Sequence, residues 1–366
     1  MILLGAGASV PLGLPTMQEL TDVAIGKVSE FDRKLGDAII KKLGLAGMKP
    51  DFEAVYTILE ALTQPNKAII EAGPFAAYLL SSKEDLKPRT EVEPVLRELR
   101  RLVYEKCKIE RDSISKLIHL YDHLFASTNV LEWDNVNLHD GNPGKIRVSD
   151  RIVTTNYDMA LELYFQYTEK PFHDGFEPTK NPLIKQFTPY QLRSIRNMPW
   201  LWKLHGSIWQ FWSHGRIIKT IEDPRNLTLP IDIEREMMIY PNKEKPILQD
   251  PYFTTYAAFK LEPWFRLVVV GYSFRDDPVN TAIADNMDWN PEARILIIDP
   301  RANEVRKELP DRLLTYSGRI ESLEVKFEKD RLELDIANWL GSHHQIWANV
   351  HQELLQRNAF TQRIKL

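Results

Sequence analysis

Four short runs of apolar residues stand out along the chain, and each of them ends in small or polar residues. The runs are apolar on both faces and rich in β-branched side chains, which favours buried parallel strands over the alternative of buried helix segments. In a parallel sheet, the polar groups that follow such strands meet at one edge, where ligands bind. The four predicted strands are Ile2–Leu4, Arg151–Thr155, Leu267–Val270 and Arg294–Ile298.

The long stretch between the first two predicted strands has a different pattern, with apolar residues at the spacing of amphipathic helices. Thr16 and Glu19 fit a capping box, which predicts that a helix begins near Met17. We therefore predict an α/β fold, in which a Rossmann-like parallel sheet is interrupted by a helical insertion and followed by a C-terminal helical segment. The segments with helical spacing are Asp51–Leu62, Val92–Lys106, Ser113–Phe125 and the chain from about Asp330 onward.

The predicted domain organisation is discontinuous. Residues 134–150 are rich in Asn, Asp and Gly and are predicted to form a loop, while residues 214–250 are polar and interrupted by prolines and are predicted to be irregular. The predicted boundaries are 1–20 together with 145–330 for the Rossmann-like domain, 21–144 for the helical insertion and 331–366 for the C-terminal segment.

Composition and charge narrow the class of protein. The chain has 366 residues, 43% of them hydrophobic and 27% charged, which is typical of a globular protein that buries a core of its own. The net charge of −4 does not indicate a nucleic-acid-binding protein, and the apolar runs are far shorter than the roughly 20 residues of a membrane helix. The single cysteine, Cys107, excludes an internal disulfide and a zinc site built from several thiolates, so we expect a cytoplasmic protein.

A glycine-rich motif, Gly5-Ala6-Gly7-Ala8-Ser9, follows the first predicted strand. Glycines at these positions let the main chain approach a ligand closely, and the loop amides and the Ser9 hydroxyl could hold a pyrophosphate. The third glycine of the usual dinucleotide motif is missing, so a simple turn remains the alternative.

Two further motifs carry candidate catalytic groups. Asn156 and Asp158 follow the second predicted strand and could orient a ribose or a water molecule, although a turn held by Asx hydrogen bonds gives the same pattern. His205, followed by Gly206, ends an apolar stretch and could exchange protons at neutral pH. A hydrogen-bonded structural histidine is the alternative.

The remaining two motifs follow the third and fourth predicted strands. Gly271 and Ser273 could form a second phosphate or ribose cradle, and Asp299 suits ribose hydroxyls because it is an acidic residue at a strand end. A tight turn and a strand-ending Asp-Pro pair are the alternatives. The adjacent Asp276 and Asp277 are interpreted as the start of a helix rather than as metal ligands.

The order of these five motifs resembles that of the sirtuin-like domain, where the corresponding motifs surround NAD. The resemblance extends from Met1 to about Asp299, and Asp51–Val55 is similar to a segment of the bacterial branch of the family. It implies a sirtuin-like fold that takes NAD+ as its substrate. The catalytic residues it implies are Asn156, His205 and Asp158, and the implied NAD-binding residues are Gly5, Ala6, Gly7, Ser9, Thr16, Thr155, Gly271, Ser273 and Asp299.

Three departures from the family pattern bear on the activity. Protein-deacylating sirtuins carry a four-cysteine zinc ribbon and a glutamine where this chain has Thr155, and the segment Gly13–Thr16 lacks their Asp-Phe-Arg sequence. These differences instead resemble the bacterial antiphage branch, whose members hydrolyse NAD+ to nicotinamide and ADP-ribose. We expect no metal cofactor. A catalytically inactive NAD-binding or ADP-ribose-binding subunit and a protein deacylase remain alternatives.

The length leaves little room for a sensor domain, so we expect regulation through assembly. The resemblance implies a homo-oligomer or a complex with a HerA-type hexameric ATPase, with no membrane contact and no direct contact with nucleic acid. Four tryptophans close to His205 are interpreted as core packing, with an interface as the alternative. They are Trp200, Trp202, Trp209 and Trp212.

Overall fold

All four predicted strands lie in one six-stranded parallel sheet, and each begins and ends within one residue of its predicted bounds. The computed structural model describes residues 1–45, 50–63, 92–128, 151–188, 199–224, 235–238, 250–326 and 339. The strands are β1 (Ile2–Leu4), β2 (Arg151–Thr154), β3 (Phe176–Pro178), β4 (Ile184–Phe187), β5 (Trp200–Lys203), β6 (Gly206–Ser213), β7 (Arg216–Thr220), β8 (Arg235–Met238), β9 (Arg266–Val270), β10 (Arg294–Asp299) and β11 (Ile320–Glu324).

The strand order of the parallel sheet is β11-β10-β9-β1-β2-β5. Leu3 is aligned with Val153 of β2 on one side and with Val269 of β9 on the other. The chain therefore starts in the middle of the sheet, builds outward through β2 and β5, and later builds outward in the opposite direction through β9, β10 and β11. The reversal falls between β1 and β9, which is where open α/β sheets bind their ligands.

The described residues form ten α-helices. They are α1 (Met17–Phe31), α2 (Arg33–Leu45), α3 (Phe52–Thr63), α4 (Glu93–Cys107), α5 (Ile114–Thr128), α6 (Ala160–Tyr167), α7 (Tyr252–Leu261), α8 (Asp277–Trp289), α9 (Ala302–Lys307) and α10 (Asp311–Leu314). The first five lie between β1 and β2, where a helical insertion was predicted. The helical spacing predicted α3, α4 and α5, whereas α2 was not predicted as a separate helix. Helix α1 begins at Met17 with the predicted capping box, since Thr16 and Glu19 each accept a hydrogen bond from the other's main-chain amide.

Helices cover both faces of the parallel sheet because successive strand residues point to opposite sides. Ile2 and Leu4 belong to the apolar cluster that packs against α5 and α6. Leu3 belongs to the opposite cluster, which packs against α7 and α8. All three side chains are fully buried, as expected for a strand with helices on both faces.

A second sheet was not predicted from the sequence. Its strand order is β3-β4-β7-β6-β8 and its neighbouring strands are antiparallel. Strands β7 and β8 correct the prediction that residues 214–250 are irregular. The hairpin of β6 and β7 turns at His214 and Gly215, which both have positive φ angles, as a two-residue hairpin turn requires.

Helices α1–α4 enclose a third apolar cluster, which also contains Tyr157, Met159, Ile208 and Trp209. The insertion therefore packs against the segment after β2 and against β6. The four tryptophans near His205 are buried or half-buried in these cores, in keeping with core packing.

Two predictions fall largely outside the described residues. The loop at 134–150 lies outside them, and so does the C-terminal helical segment at 331–366 except for Trp339, which is helical and buried. The predicted domain boundaries stay predictions.

Candidate active site

The loops that follow β1 and β9 lock together through main-chain contacts. The amide of Gly5 donates to the carbonyl of Val270, and the amide of Gly7 donates to the carbonyl of Gly271, each at 2.9 Å. A Cβ atom on Gly5 would lie 2.5 Å from the carbonyl oxygen of Gly271. Gly271 has a φ of +61°, and a Cβ there would lie 2.3 Å from the amide nitrogen of Ala8. Glycine is therefore required on both loops for them to meet.

These contacts bear on the predicted pyrophosphate cradle. The amides of Gly5 and Gly7 are already bonded to the neighbouring strand and loop, and the amide of Ala8 donates to the carbonyl of Gly5 at 3.0 Å. In this structure the glycines serve close main-chain packing. Whether the loop contacts a phosphate stays a prediction.

Three polar side chains join the first loop to the segment after β2. The Asn156 amide nitrogen donates to the carbonyl of Gly5 at 3.0 Å and to the Ser9 hydroxyl at 3.1 Å. The Ser9 hydroxyl donates to Asp158 Oδ2 at 2.8 Å. Asn156 Oδ1 is buried and accepts no hydrogen bond from the described residues. The cluster thus places an unpartnered acceptor beside an oriented carboxylate.

Burial controls the charge of Asp158. Its side chain is 7% exposed, and this burial raises the pKa of Asp158 above its ordinary value, although the nearby Lys203 ammonium lowers it in part. The amide of Ala160 donates to Asp158 Oδ1 at 2.9 Å, so both carboxylate oxygens have donors. Asp158 is therefore a buried, fully oriented acid.

His205 lies in the turn between β5 and β6, next to Gly206, which has a φ of +78°. Its Nε2 is 2.6 Å from Asp276 Oδ2, and both side chains are buried. Asp276 also caps α8, because its Oδ1 accepts from the amide of Val279 at 3.0 Å. The predicted helix start at Asp276 is confirmed, but the pairing with His205 was missed, since nothing in the sequence links two residues 71 positions apart.

A cavity of about 340 Å³ opens at the carboxyl edge of the parallel sheet. Its volume is within the range of small-molecule sites. Gly5 does not line it and instead lies behind it, packed against the loop after β9. The other predicted site residues all line the cavity: Ala6, Gly7, Ser9, Thr16, Thr155, Asn156, Asp158, His205, Gly271, Ser273 and Asp299.

The helical insertion forms one wall of this cavity, which the sequence did not indicate. Glu53 of α3 is 8% exposed and accepts a hydrogen bond from the Tyr157 hydroxyl at 3.0 Å. Cys107 at the end of α4 also lines the cavity, and burial raises the pKa of its thiol, so it is not a thiolate nucleophile. The insertion thus contacts the segment that carries Asn156 and Asp158.

Of four other predicted site residues, three have local structural contacts and the fourth, Ser273, is exposed. Thr16 caps α1, and the amide of Thr155 donates to the carbonyl of Leu4 at 3.2 Å. Ser273 is exposed at the mouth, and Asp299 accepts from the amide of Arg301 at 2.8 Å. Among the described residues no three His, Cys, Asp or Glu side chains are grouped to hold a metal ion. Within the same residues no helix is long and apolar enough to cross a membrane.

Residues 150–319 match the family model of a SIR2-like domain. The match runs from the start of β2 to the residue before β11 and is slightly less than half of the chain. It includes Asn156, Asp158, His205 and Asp276, whereas the loop from Gly5 to Ser9 lies outside it. No curated protein matches the sequence. The match supports a sirtuin-like α/β domain, a fold consistent with NAD-related activity.

Solved structures with a similar arrangement include a histidine-to-asparagine mutant of a Sir2 homologue in complex with ADP-ribose. It is 14% identical, with a TM-score of 0.42, and the alignment covers 93% of this chain and 92% of that chain. A serine-to-alanine mutant of a Sir2 homologue, also with ADP-ribose, is 13% identical with a TM-score of 0.43 and the same coverage. A Sir2 complex with a p53 peptide and NAD+ is 10% identical, with a TM-score of 0.39, covering 94% and 92%.

Proposed function

We propose that the chain hydrolyses the nicotinamide–ribose bond of NAD+ and releases nicotinamide and ADP-ribose. The observation that supports this most directly is the convergence of Asn156, Asp158 and His205 on one cavity at the reversal of the parallel sheet. Asn156 and Asp158 share one motif after β2, and His205 lies almost 50 residues further along the chain, so the two motifs come together only in the fold. The SIR2-like family match over the same three residues supports the same substrate.

The chemistry requires little acid catalysis. Nicotinamide leaves NAD+ as a neutral molecule, so the transition state is oxocarbenium-like and the site mainly orients the ribose, stabilises positive charge and delivers water. Asn156 Oδ1 would accept from a ribose hydroxyl or from water, because its nitrogen is bonded to Gly5 and Ser9. In its ionised form, the carboxylate of Asp158 would stabilise the developing charge. No step in this scheme calls for a metal ion.

His205 would act as the base. When its Nε2 carries the proton and donates to Asp276, Nδ1 is the atom that accepts a proton from water or a ribose hydroxyl. The carboxylate of Asp276 then stabilises the imidazolium that forms. The pairing gives His205 a fixed orientation.

We infer further that this activity serves antiphage defence by depleting NAD+ in the cytoplasm. NAD+ hydrolysis harms the host, so the enzyme would be regulated through homo-oligomerisation or by a HerA-type ATPase. This inference rests on the resemblance of the motifs to the bacterial antiphage branch.

A turnover assay tests the proposal. The purified chain is incubated with NAD+, alone and with a HerA-type ATPase, and nicotinamide and ADP-ribose are followed by chromatography. We expect equal amounts of both products, and a loss of at least about a hundredfold in Asn156→Ala and His205→Ala. Calorimetric binding of ADP-ribose without any turnover would instead identify a binding subunit. Unchanged turnover in both variants would refute the residue assignment.

A further inference from the structure

A buried network of charged side chains lies directly behind Asn156 and Asp158. Lys203, the last residue of β5, donates through its ammonium to the main-chain carbonyl of Asp158 and lies 3.4 Å from Glu162 of α6. Glu162 is also 3.2 Å from Lys219 of β7, which donates to Asp174 at 2.5 Å. The side chains of Lys203, Glu162, Lys219 and Asp174 are at most 6% exposed.

The network consists of an inner pair, Lys203 and Glu162, and an outer pair, Lys219 and Asp174. The inner pair contacts the candidate site through Lys203, and the outer pair does not. Lys203 holds the main chain at the residue whose carboxylate receives the Ser9 hydrogen bond. The outer pair, Lys219 and Asp174, joins the second sheet to Glu162 without contacting that segment. A buried charge is costly unless it is paired, so the position of the Lys203 ammonium is strongly restricted.

We propose that Lys203 is a positioning residue of the candidate site, which fixes the segment Asn156–Asp158 by binding the main-chain carbonyl of Asp158. It acts through that segment and does not line the cavity. The effect on catalysis rests on the proposed NAD+ hydrolysis, whereas the effect on the segment is independent of any activity.

The proposed role of Lys203 is also supported by its effect on the pKa of Asp158, which the Lys203 ammonium lowers. The groups that face it from the surrounding elements are Ser9, Cys107 of α4, Tyr121 of α5, Glu162 and Lys203. Lys203 is the cation in this set, while Glu162 raises the pKa of Asp158. Once Lys203 and the charge of Glu162 are removed, burial still raises the pKa of Asp158, and the hydrogen bonds from Ala160 and Ser9 still lower it.

Two matched double variants test the proposal. The inner variant is Lys203→Met with Glu162→Gln, and the outer variant is Lys219→Met with Asp174→Asn. Each removes one cation and one carboxylate from the same network, and each leaves the other ion pair intact. The asparagine at position 174 can still accept from the amide of Phe176, as Asp174 does at 3.1 Å.

Hydrogen exchange of residues 155–160 is the first measurement, because it needs no turnover. We expect exchange at least about tenfold faster in the inner variant and within about twofold of wild type in the outer variant. Equal exchange in the two variants would overturn the proposal and leave Lys203 a merely structural residue. If the inner variant does not fold, Lys203→Gln replaces it under the same comparison and the same criteria.

Kinetics provide the second measurement. In the inner variant we expect kcat to fall at least about tenfold with little change in KM, and the acid limb of the pH profile to move from its wild-type position. In the outer variant we expect kcat and the acid limb to stay close to wild type. An inner variant with wild-type kcat overturns the positioning role. Absence of turnover in the wild type would refute the proposed function, while the exchange comparison would still decide on Lys203.

Discussion

At the residue scale, the His205–Asp276 pair is the contact that most changes the interpretation of the site. Asp276 has two tasks, since one carboxylate oxygen caps α8 and the other faces His205. Asp276→Ser separates them, because serine is a good N-cap but has no carboxylate. We expect kcat to fall at least about tenfold, while the free energy of unfolding changes by no more than about 1 kcal/mol.

Steady-state kinetics and urea unfolding measure the two effects. Asp32→Ser is the matched control, because Asp32 caps α2 by accepting from the amides of Lys34 and Leu35 and does not line the cavity. The control should keep wild-type kcat. Wild-type kcat in Asp276→Ser would show that His205 does not depend on this carboxylate.

Asp158 connects the charge of the site to the stability of the fold. Burial raises the pKa of Asp158 in the folded state, so folding takes up protons at pH values between the ordinary pKa of about 4 and the raised value. The stability of the wild type therefore falls as pH rises through this window, and Asp158→Asn lacks this loss. We expect the free energy of unfolding of Asp158→Asn, relative to wild type, to increase from pH 4 to about pH 7.

Urea unfolding at a series of pH values measures this difference. The absolute stability of Asp158→Asn also depends on the hydrogen bonds from Ser9 and Ala160, so the test is the slope with pH. A difference that does not change with pH would contradict the raised pKa. The same variant should lose NAD+ turnover, because we propose that the Asp158 carboxylate stabilises charge during catalysis even though it lowers the stability of the fold.

At the element scale, the interlocked glycine loops of β1 and β9 set the shape of the cavity edge. Gly271→Ala, at a φ of +61°, would place a Cβ against the Ala8 amide. Gly215 in the β6–β7 turn also has a positive φ, of +71°, but has open space around it. Both variants carry backbone strain, but only Gly271→Ala also carries steric overlap, so the difference between their stabilities measures the overlap. We expect Gly271→Ala to destabilise the protein by about 2 kcal/mol more than Gly215→Ala does, measured by urea unfolding. Equal losses would mean that the loops are not in contact.

The helical insertion supplies a second element-scale prediction. Glu53 on α3 accepts from the Tyr157 hydroxyl, which joins the insertion to the segment carrying Asn156. A double-mutant cycle of Glu53→Gln and Tyr157→Phe should give a coupling of about 1 kcal/mol in the free energy of unfolding. The two single variants serve as each other's controls. A coupling of zero would show that the insertion does not depend on this contact.

The parts of the fold that the sequence predicted are those with strong local patterns. The parallel strands are buried on both faces and end in glycine or polar motifs, and α1 has a complete capping box. The second sheet was missed because β3 and β4 have only three and four residues and mix polar with apolar positions. The pairings His205–Asp276 and Tyr157–Glu53 were missed because they join distant segments, and no local pattern encodes them.

At the scale of the whole molecule, the site is built from segments that are far apart in the sequence. Its residues come from the loops after β1, β2 and β9, from the turn after β5 and from the insertion. Asn156 and Ser9 alone are 147 residues apart and in direct contact. Such a site forms only when these parts are packed together, so anything that shifts their packing can alter activity without touching a catalytic residue.

We therefore expect that assembly into an oligomer or a complex controls the activity. If the competent arrangement is favoured in an oligomer, mass action raises its population with protein concentration. We expect nicotinamide release per chain to rise at least about tenfold as the protein passes from monomer to oligomer. Light scattering on the same samples gives the mass, and Asn156→Ala, which should assemble normally, is the control for contaminating activity. Constant nicotinamide release per chain across the transition would exclude homo-oligomerisation as the means of activation. Release that rises only when a HerA-type ATPase is added would show that the partner activates the enzyme.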